Sequence, residues 1–306
     1  MKRPLTNLKV VDLTHRLPGP FAGYVLESLG AEVFKIEDHK FQDSFLSGLF
    51  SEFDNSFVDW YDNLNCRKKV LRFDFNNSHD QEKIHQLVME ADLVIMGLPD
   101  STRKKLKLTQ DEWDKNKSQV VIELLASKKT TKSMHDLNAL AHTGLLSLHV
   151  HNQNEKIVAP PFLPIAGISF GHFAATELLA FYVKSLKSHQ TEFVKTYLDE
   201  VTENLYGIFW PKKDRIQMRT KYLHNGMYPC YALYQTKDNH YIALACVEEK
   251  FWLNFCLKFQ IDSSVDRFHY SDQSVFELIL KKISQYTKDE IEKIVGDDDL
   301  CLSVIL

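Results

Sequence analysis

The chain has 306 residues, 44% of them hydrophobic and 25% charged, which is enough to bury one large core or two medium ones. Charge is nearly balanced, 37 Lys+Arg against 41 Asp+Glu, so no long-range field draws it to nucleic acid or acidic lipid. A local basic pocket is still allowed by that balance, and the 20 Phe and 12 Tyr point to a bulky core or a subunit contact.

Leu8–Leu13 (LKVVDL) reads as a buried strand, Phe21–Leu29 as a helix closed by Gly30, and Ala31–Ile36 as the next strand. Short apolar strands around a helix predict a parallel α/β unit. Residues 38–65 read as a long irregular connection packed by its own aromatics. Val70–Phe75 is a further strand, and Ser78–Ala91 is a helix with Asn77 or Ser78 as its cap. Asp92–Met96 and Gln119–Leu125 continue the strands, and Thr109 carries a helix-start signal with Glu112 three residues on. Helices are predicted over Asp136–Ser147 and Phe170–Leu186, the second with Gly171, Ala174 and Ala175 permitting close helix packing.

After that the pattern changes. Met227–Gln235 and His240–Val247 alternate as antiparallel strands about an Asp238-Asn239 turn. Helices follow at Phe251–Phe259, Phe276–Tyr286 and Lys288–Val295. The expected organisation is a large α/β domain over residues 1–200 and a smaller α/β domain over 201–306. No secretory segment is read at the N-terminus, where Met1-Lys2-Arg3 is followed by Pro4. No apolar stretch is expected to reach the roughly 20 residues of a membrane-spanning helix. The five cysteines are odd in number and lack a CxxC pair. That argues against a disulfide framework or a metal site and for a reducing cytoplasm.

The opening LKVVDLTHRLPGPFAGYVLESLGAEVFKIE, the Asn65-Cys66-Arg67-Lys68-Lys69-Val70 segment and the Ala91-Asp92-Leu93-Val94-Ile95 strand resemble the class III CoA-transferase (CaiB/BaiF) family. Met134–Ser147 (MHDLNALAHTGLLS) and Asn225–Trp252 resemble its α-methylacyl-CoA racemase branch. The resemblance covers almost the whole chain. It implies a nucleotide-binding-like large domain plus a smaller α/β domain, in an interlocked homodimer that binds coenzyme A or acyl-CoA esters. Relatives continue back towards the large domain, so a truncated C-terminal return segment is expected here.

The same resemblance supplies site residues. His135 takes the place of the racemase histidine, which exchanges the proton beside the thioester carbonyl. A histidine near its ordinary pKa serves as base in one direction and acid in the other. Its plainer role is a locally bonded residue at a helix start, with Asp136 as a cap. Glu248 matches a supporting acidic position, or else is a solvated turn carboxylate. Gly167 stands where the family keeps its working aspartate, so ordinary covalent CoA transfer lacks its nucleophile; structurally it reads as a close-packing or turn glycine. His142, Ser169 and His172 are further polar candidates. Arg16, Arg67, Lys68 and Lys69 are read as CoA-phosphate ligands, or as an exposed basic turn in the last three. The basic position after the Ala91–Ile95 strand is altered to Met96-Gly97-Leu98-Pro99, and Arg103-Lys104-Lys105 lie displaced from it. The expected function is an atypical racemase-like acyl-CoA-binding homologue. A noncatalytic structural or regulatory homologue and a divergent CoA transferase are the alternatives.

Overall fold

The computed structural model describes residues 3–113, 117–130, 132–144, 146, 149–150, 157–208, 223–269 and 273–305. The chain divides into two compact units, residues 1–145 with 159–210 and residues 146–158 with 211–306. The boundary expected at residue 200 falls inside a helix, Leu198–Gly207, which packs within the first unit.

In the first unit, β1 (Lys9–Leu13), β2 (Glu32–Asp38), β3 (Lys69–Phe73), β4 (Leu93–Met96), β5 (Val120–Leu125) and β6 (Glu192–Tyr197) form one parallel sheet ordered β3-β2-β1-β4-β5-β6. Strand order reverses between β1 and β4, and such a switch point opens a crevice at the carboxyl ends of the strands. Every residue of β4 is buried, as expected of a strand covered on both faces. Successive residues of β1 and β4 point to opposite faces. Val10, Leu93 and Ile95 pack under α1 (Pro18–Ser28) and α7 (Ile165–Ser188) with Ala22, Leu26, Ala174 and Leu178. Val11, Val94 and Met96 pack on the other face with Ile84 and Val88 of α4 (Ser78–Glu90). Asn77 caps α4, its side chain accepting the His79 N–H at 2.9 Å and the Asp80 N–H at 3.2 Å. Gly30, at φ +105, closes α1 in a conformation glycine adopts without strain.

Three expectations change. Residues 38–65 are not wholly irregular: α2 (Leu49–Phe53) and α3 (Ser56–Asn65) lie within them. α3 turns Tyr61 and Asn65 inward, four residues apart, while its acidic side chains obscure the apolar face. Thr109 precedes a single 3-10 turn, Gln110–Glu112, and its side chain caps nothing. Finally, α7 runs for 24 residues with a mean hydropathy of 1.2 in its most apolar stretch, so it meets the length and composition of a spanning helix. Its small face is the core helix of the first unit, against α1 and the sheet. The remaining first-unit helices are α5 (Asp100–Lys105), α6 (Asp136–His142) and α8 (Leu198–Gly207).

The second unit contains β7 (Tyr231–Gln235) and β8 (Tyr241–Ala245), paired antiparallel, with β9 (Leu302–Val304) on the other side of β8. Asn239 turns the hairpin at φ +63, and the Thr236 hydroxyl donates to Asp238 at 2.6 Å. Helices α9 (Glu249–Phe259), α10 (Gln273–Ile283) and α11 (Lys288–Val295) bury Trp252, Phe255, Phe259, Ile279 and Ile291 in one core. Thr287 and Glu290 cap α11 reciprocally. The five cysteines are free thiols.

The first unit also buries charge. The Lys35 ammonium donates to the Thr14 carbonyl at 2.6 Å and lies 3.7 Å from Glu37 and 3.8 Å from Asp43. Glu37 accepts from the Tyr61 hydroxyl at 3.0 Å and pairs with Arg72 at 3.2 Å. Lys68 donates to Asp12 at 3.1 Å, the Pro20 carbonyl at 2.7 Å and Asn65 at 2.9 Å. Burial acts to raise the Asp12 carboxyl, but the charges of Lys35 and Lys68 overcome it and hold it below its ordinary value. Burial brings the Lys68 ammonium down to about 8 against the pull of Asp12, so it stays mostly charged at neutral pH.

Two stability outcomes follow. A Cβ added at Gly171 would stand 2.4 Å from the Pro18 carbonyl oxygen, where backbone must move, so Gly171→Ala should cost about 1–3 kcal/mol in urea unfolding. Lys35→Met should cost about 3–5 kcal/mol by the same measurement, because it strands Glu37 and Asp43 without their shared cation.

Candidate functional site

A cavity of about 940 Å³ opens at the carboxyl ends of the strands in the first unit. Its floor comes from Leu13–Leu17 after β1, Gly97–Pro99 after β4 and Leu124–Ala126 at the end of β5. Met134–Leu137, at the start of α6, and Leu163, Pro164 and Gly167, at the start of α7, form one wall. Phe41, Phe45, Phe50, Phe57 and Trp60 form another. Phe45 and Phe57 lie 4.9 Å apart and Phe57 and Trp60 5.4 Å apart between ring centres. Phe45, Phe50, Phe57 and Trp60 thus form one interlocked aromatic layer with tilted and edge contacts.

The loop after β1 is held by the buried charges. Arg16 has φ +66, a conformation that costs a non-glycine residue energy. Its backbone N–H donates to Asp43 at 2.7 Å, and Asp43 in turn accepts the Phe45 N–H at 3.0 Å. The Arg16 guanidinium then lies 5.8 Å from the Phe50 ring centre, facing the cavity as an exposed fork suited to an anion. His15, half-buried beside it, stacks on Phe41 at 6.1 Å. Burial and the nearby Lys35 charge lower its pKa, so it is neutral at pH 7.

His135 is exposed at the cavity wall and immediately precedes α6, its backbone N–H donating to the Asn138 side chain at 3.1 Å. Asp136, the first residue of α6, reaches to α7. Its carboxylate accepts the Gly167 N–H at 2.7 Å. Burial raises this carboxyl, with the Gly167 and Ala166 N–H groups opposing. Gly167 is the third residue of α7 and is buried. A Cβ there would meet Leu17 Cδ2 at 3.0 Å and Asp136 Oδ1 at 3.7 Å.

The structure therefore brings Arg16, His135 and Gly167 to one cavity and sends the other residues read as ligands elsewhere. Arg67 pairs with Glu27 at 3.0 Å and covers the Tyr24 ring. Lys68 is the buried strut to Asp12. Lys69 pairs with Glu32 and covers the Phe34 ring. Lys68 and Lys69 diverge because consecutive residues entering β3 face opposite ways. Glu248 belongs to the second unit, just before α9, and its side chain caps nothing there. Ser169 is bonded to the Tyr206 hydroxyl, and His142 and His172 are exposed on α6 and α7. Arg103 pairs with Glu123 at 2.8 Å and with Asp100 beside a second cavity of about 580 Å³. Sequence reading passed over His15 and Asp43, and saw Asp136 only as a cap. Among the described residues, no group of three His, Cys, Asp or Glu is arranged to hold a metal ion.

Known proteins resemble the chain along its whole length. A CaiB/baiF CoA-transferase family protein of Caenorhabditis elegans is 25% identical, with 100% of this chain and 87% of the relative aligned. α-Methylacyl-CoA racemase of Mus musculus is 23% identical over 81% of this chain and 62% of its own length. The crystal structure of a CAIB/BAIF family protein from Brucella suis superposes with a TM-score of 0.77 at 18% identity, covering 100% of this chain and 85% of that one. Such a superposition establishes a shared fold of a large and a smaller α/β domain. Residues 5–306 match the model of CoA-transferase family III, and the chain belongs to that family.

Proposed function

We propose that the first-unit cavity binds an acyl-CoA thioester and that the chain transfers the proton next to the thioester carbonyl, with His135 as acid and base. The observation that carries this reading is the composition of one cavity corner: His135 is present there and residue 167 has no side chain. Covalent CoA transfer needs a nucleophile at that corner, and glycine offers none. Removing a proton needs only a positioned base and an acidified C–H, and the thioester supplies the second. Arg16 pairs with a phosphate of the CoA, and the aromatic wall receives an apolar part of the ester. The functional form in this reading is a cytoplasmic homodimer.

A noncatalytic structural or regulatory homologue is the second reading. It is favoured by the absence of an arginine from Met96-Gly97-Leu98-Pro99 and by the approach of Leu17 to the space beside Gly167.

His135→Ala should lower deuterium incorporation at the α-carbon of a 2-methyl-branched acyl-CoA about 100- to 10,000-fold and leave the urea midpoint unchanged. Equal incorporation in the variant removes His135 from the chemistry. A tight complex with no incorporation in the unaltered protein selects the noncatalytic reading. Arg16→Ala should weaken acyl-CoA binding by about 1.5–3 kcal/mol in calorimetric titration and flatten its dependence on salt. An unchanged affinity and salt dependence would place the phosphates elsewhere.

A further inference from the structure

We propose that Asp136 is the second proton-carrying group of this site, a carboxylate brought in from the start of α6 to the corner where residue 167 carries no side chain. The inference rests on the α-proton reading above and adds the partner that His135 lacks.

The geometry is local. Asp136 Oδ1 is 3.7 Å from the point where a Cβ of residue 167 would stand. A carboxylate hung on that Cβ would itself place its oxygens about two bond lengths away. The acid absent from α7 is therefore replaced by one close to the same spot, attached to a different backbone. Its direction is fixed by the 2.7 Å hydrogen bond from the Gly167 N–H. Asp136 and His135 both line the cavity, so the chain supplies two proton carriers from consecutive residues. The Asp136 carboxyl is half-buried, and burial raises its pKa, which strengthens it as a base.

The step balances without another reactant. The Asp136 carboxylate takes the α-proton, the C–H bond breaks, and its electron pair becomes the enolate C=C while the thioester oxygen takes the negative charge. The His135 imidazolium then delivers its N–H proton to the other face of the α-carbon, the new C–H bond forms, and the carbonyl is restored. Asp136 ends protonated and His135 neutral, and turnover of the opposite epimer resets both. Two bases on two faces give each epimer its own proton acceptor.

The rival role for Asp136 is structural, as a cap on the first N–H groups of α7. Asp136→Asn separates the two, because the amide oxygen still accepts an N–H but the side chain carries no transferable proton. The R and S forms of 2-methyldecanoyl-CoA are incubated separately in deuterium oxide with the full chain, and α-deuterium is read by mass spectrometry. Ligand titration and urea unfolding serve as controls. D136N should lower α-deuterium incorporation from one epimer about 100-fold or more, leave the other within a few fold, and stop interconversion. H135Q should show the opposite preference. Incorporation that D136N leaves unchanged, or lowers equally from both epimers, overturns the role. If D136N fails to fold, D136S, which keeps a hydroxyl acceptor, is judged by the same criteria. No incorporation from either epimer in the unaltered protein overturns the α-proton reading and this one with it. Incorporation there, combined with an indifferent D136N, overturns this one alone.

Discussion

Two ammonium groups, Lys35 and Lys68, are buried in the first unit, and the cavity floor depends on how they are satisfied. An unpaired charge in such surroundings costs several kcal/mol, so each must be surrounded by acceptors. Lys68 has three within 3.1 Å, on β1, α1 and α3. Lys35 gathers the Thr14 carbonyl, Glu37 and Asp43. These contacts join the end of β1 to β2 and to the segment beyond it. Asp43, held in this way, then holds the N–H of Arg16 in its left-handed conformation. A buried ion pair is not by itself evidence of great stability. Here the network fixes the direction of a loop that would otherwise relax, and the direction of that loop decides where the guanidinium lies.

The sequence made most of the frame legible. Apolar runs, continuous in β4 and broken by Asp12 in β1 and Glu123 in β5, mark these strands because a parallel sheet is buried on both faces. Gly30 and Asn77 announce helix ends through local chemistry, whereas the reciprocal Thr287–Glu290 cap emerged only in the structure. Small residues at 171, 174 and 175 announced a close helix contact, and α7 does pack there against α1. What was hidden was non-local or masked by polarity. β6 mixes Glu192 and Lys195 with its apolar residues, as an edge strand with a partly wet face allows. Lys35 sits within an apolar-looking strand, and nothing nearby indicates that its partners include Asp43. Asp136 bonds to Gly167, 31 residues away, so its reach to a second helix leaves no trace in spacing. Arg67, Lys68 and Lys69 read as one basic cluster because sequence adjacency hides the divergence of side chains at a strand entrance.

At the corner beside Gly167, Leu17 and Asp136 approach a position that carries no side chain. Loss of a side chain ordinarily leaves a void, and voids are costly. Leu17 comes close enough to fill much of this one, its methyl 3.0 Å from where a Cβ would be. The corner therefore becomes more apolar on the side of α1 and stays acidic on the side of α6. A nucleophile built into α7 would be held by its own helix N-terminus, whose dipole favours the anion. Asp136 receives that same N–H group from outside. The start of α7 thus holds a carboxylate that is supplied by α6.

The cavity walls also set how binding energy is divided. Among the described lining residues Arg16 is the one Arg or Lys, and Asp38 brings a charge of opposite sign to the same lining. Under the acyl-CoA reading, a single guanidinium would answer one phosphate group well and leave further phosphates to water. Eight Phe and Trp side chains and several prolines make up much of the remaining surface. Apolar burial is worth about 25 cal/mol per Å², so covering one aromatic-sized face of a ligand rivals the contribution of the single charge pair. Under the acyl-CoA reading proposed above, recognition in this cavity would lean on the apolar body of the ligand more than on its charged end. The buried lysines serve that division as well: their charge is neutralised internally, and they hold the loop without adding cations to the cavity.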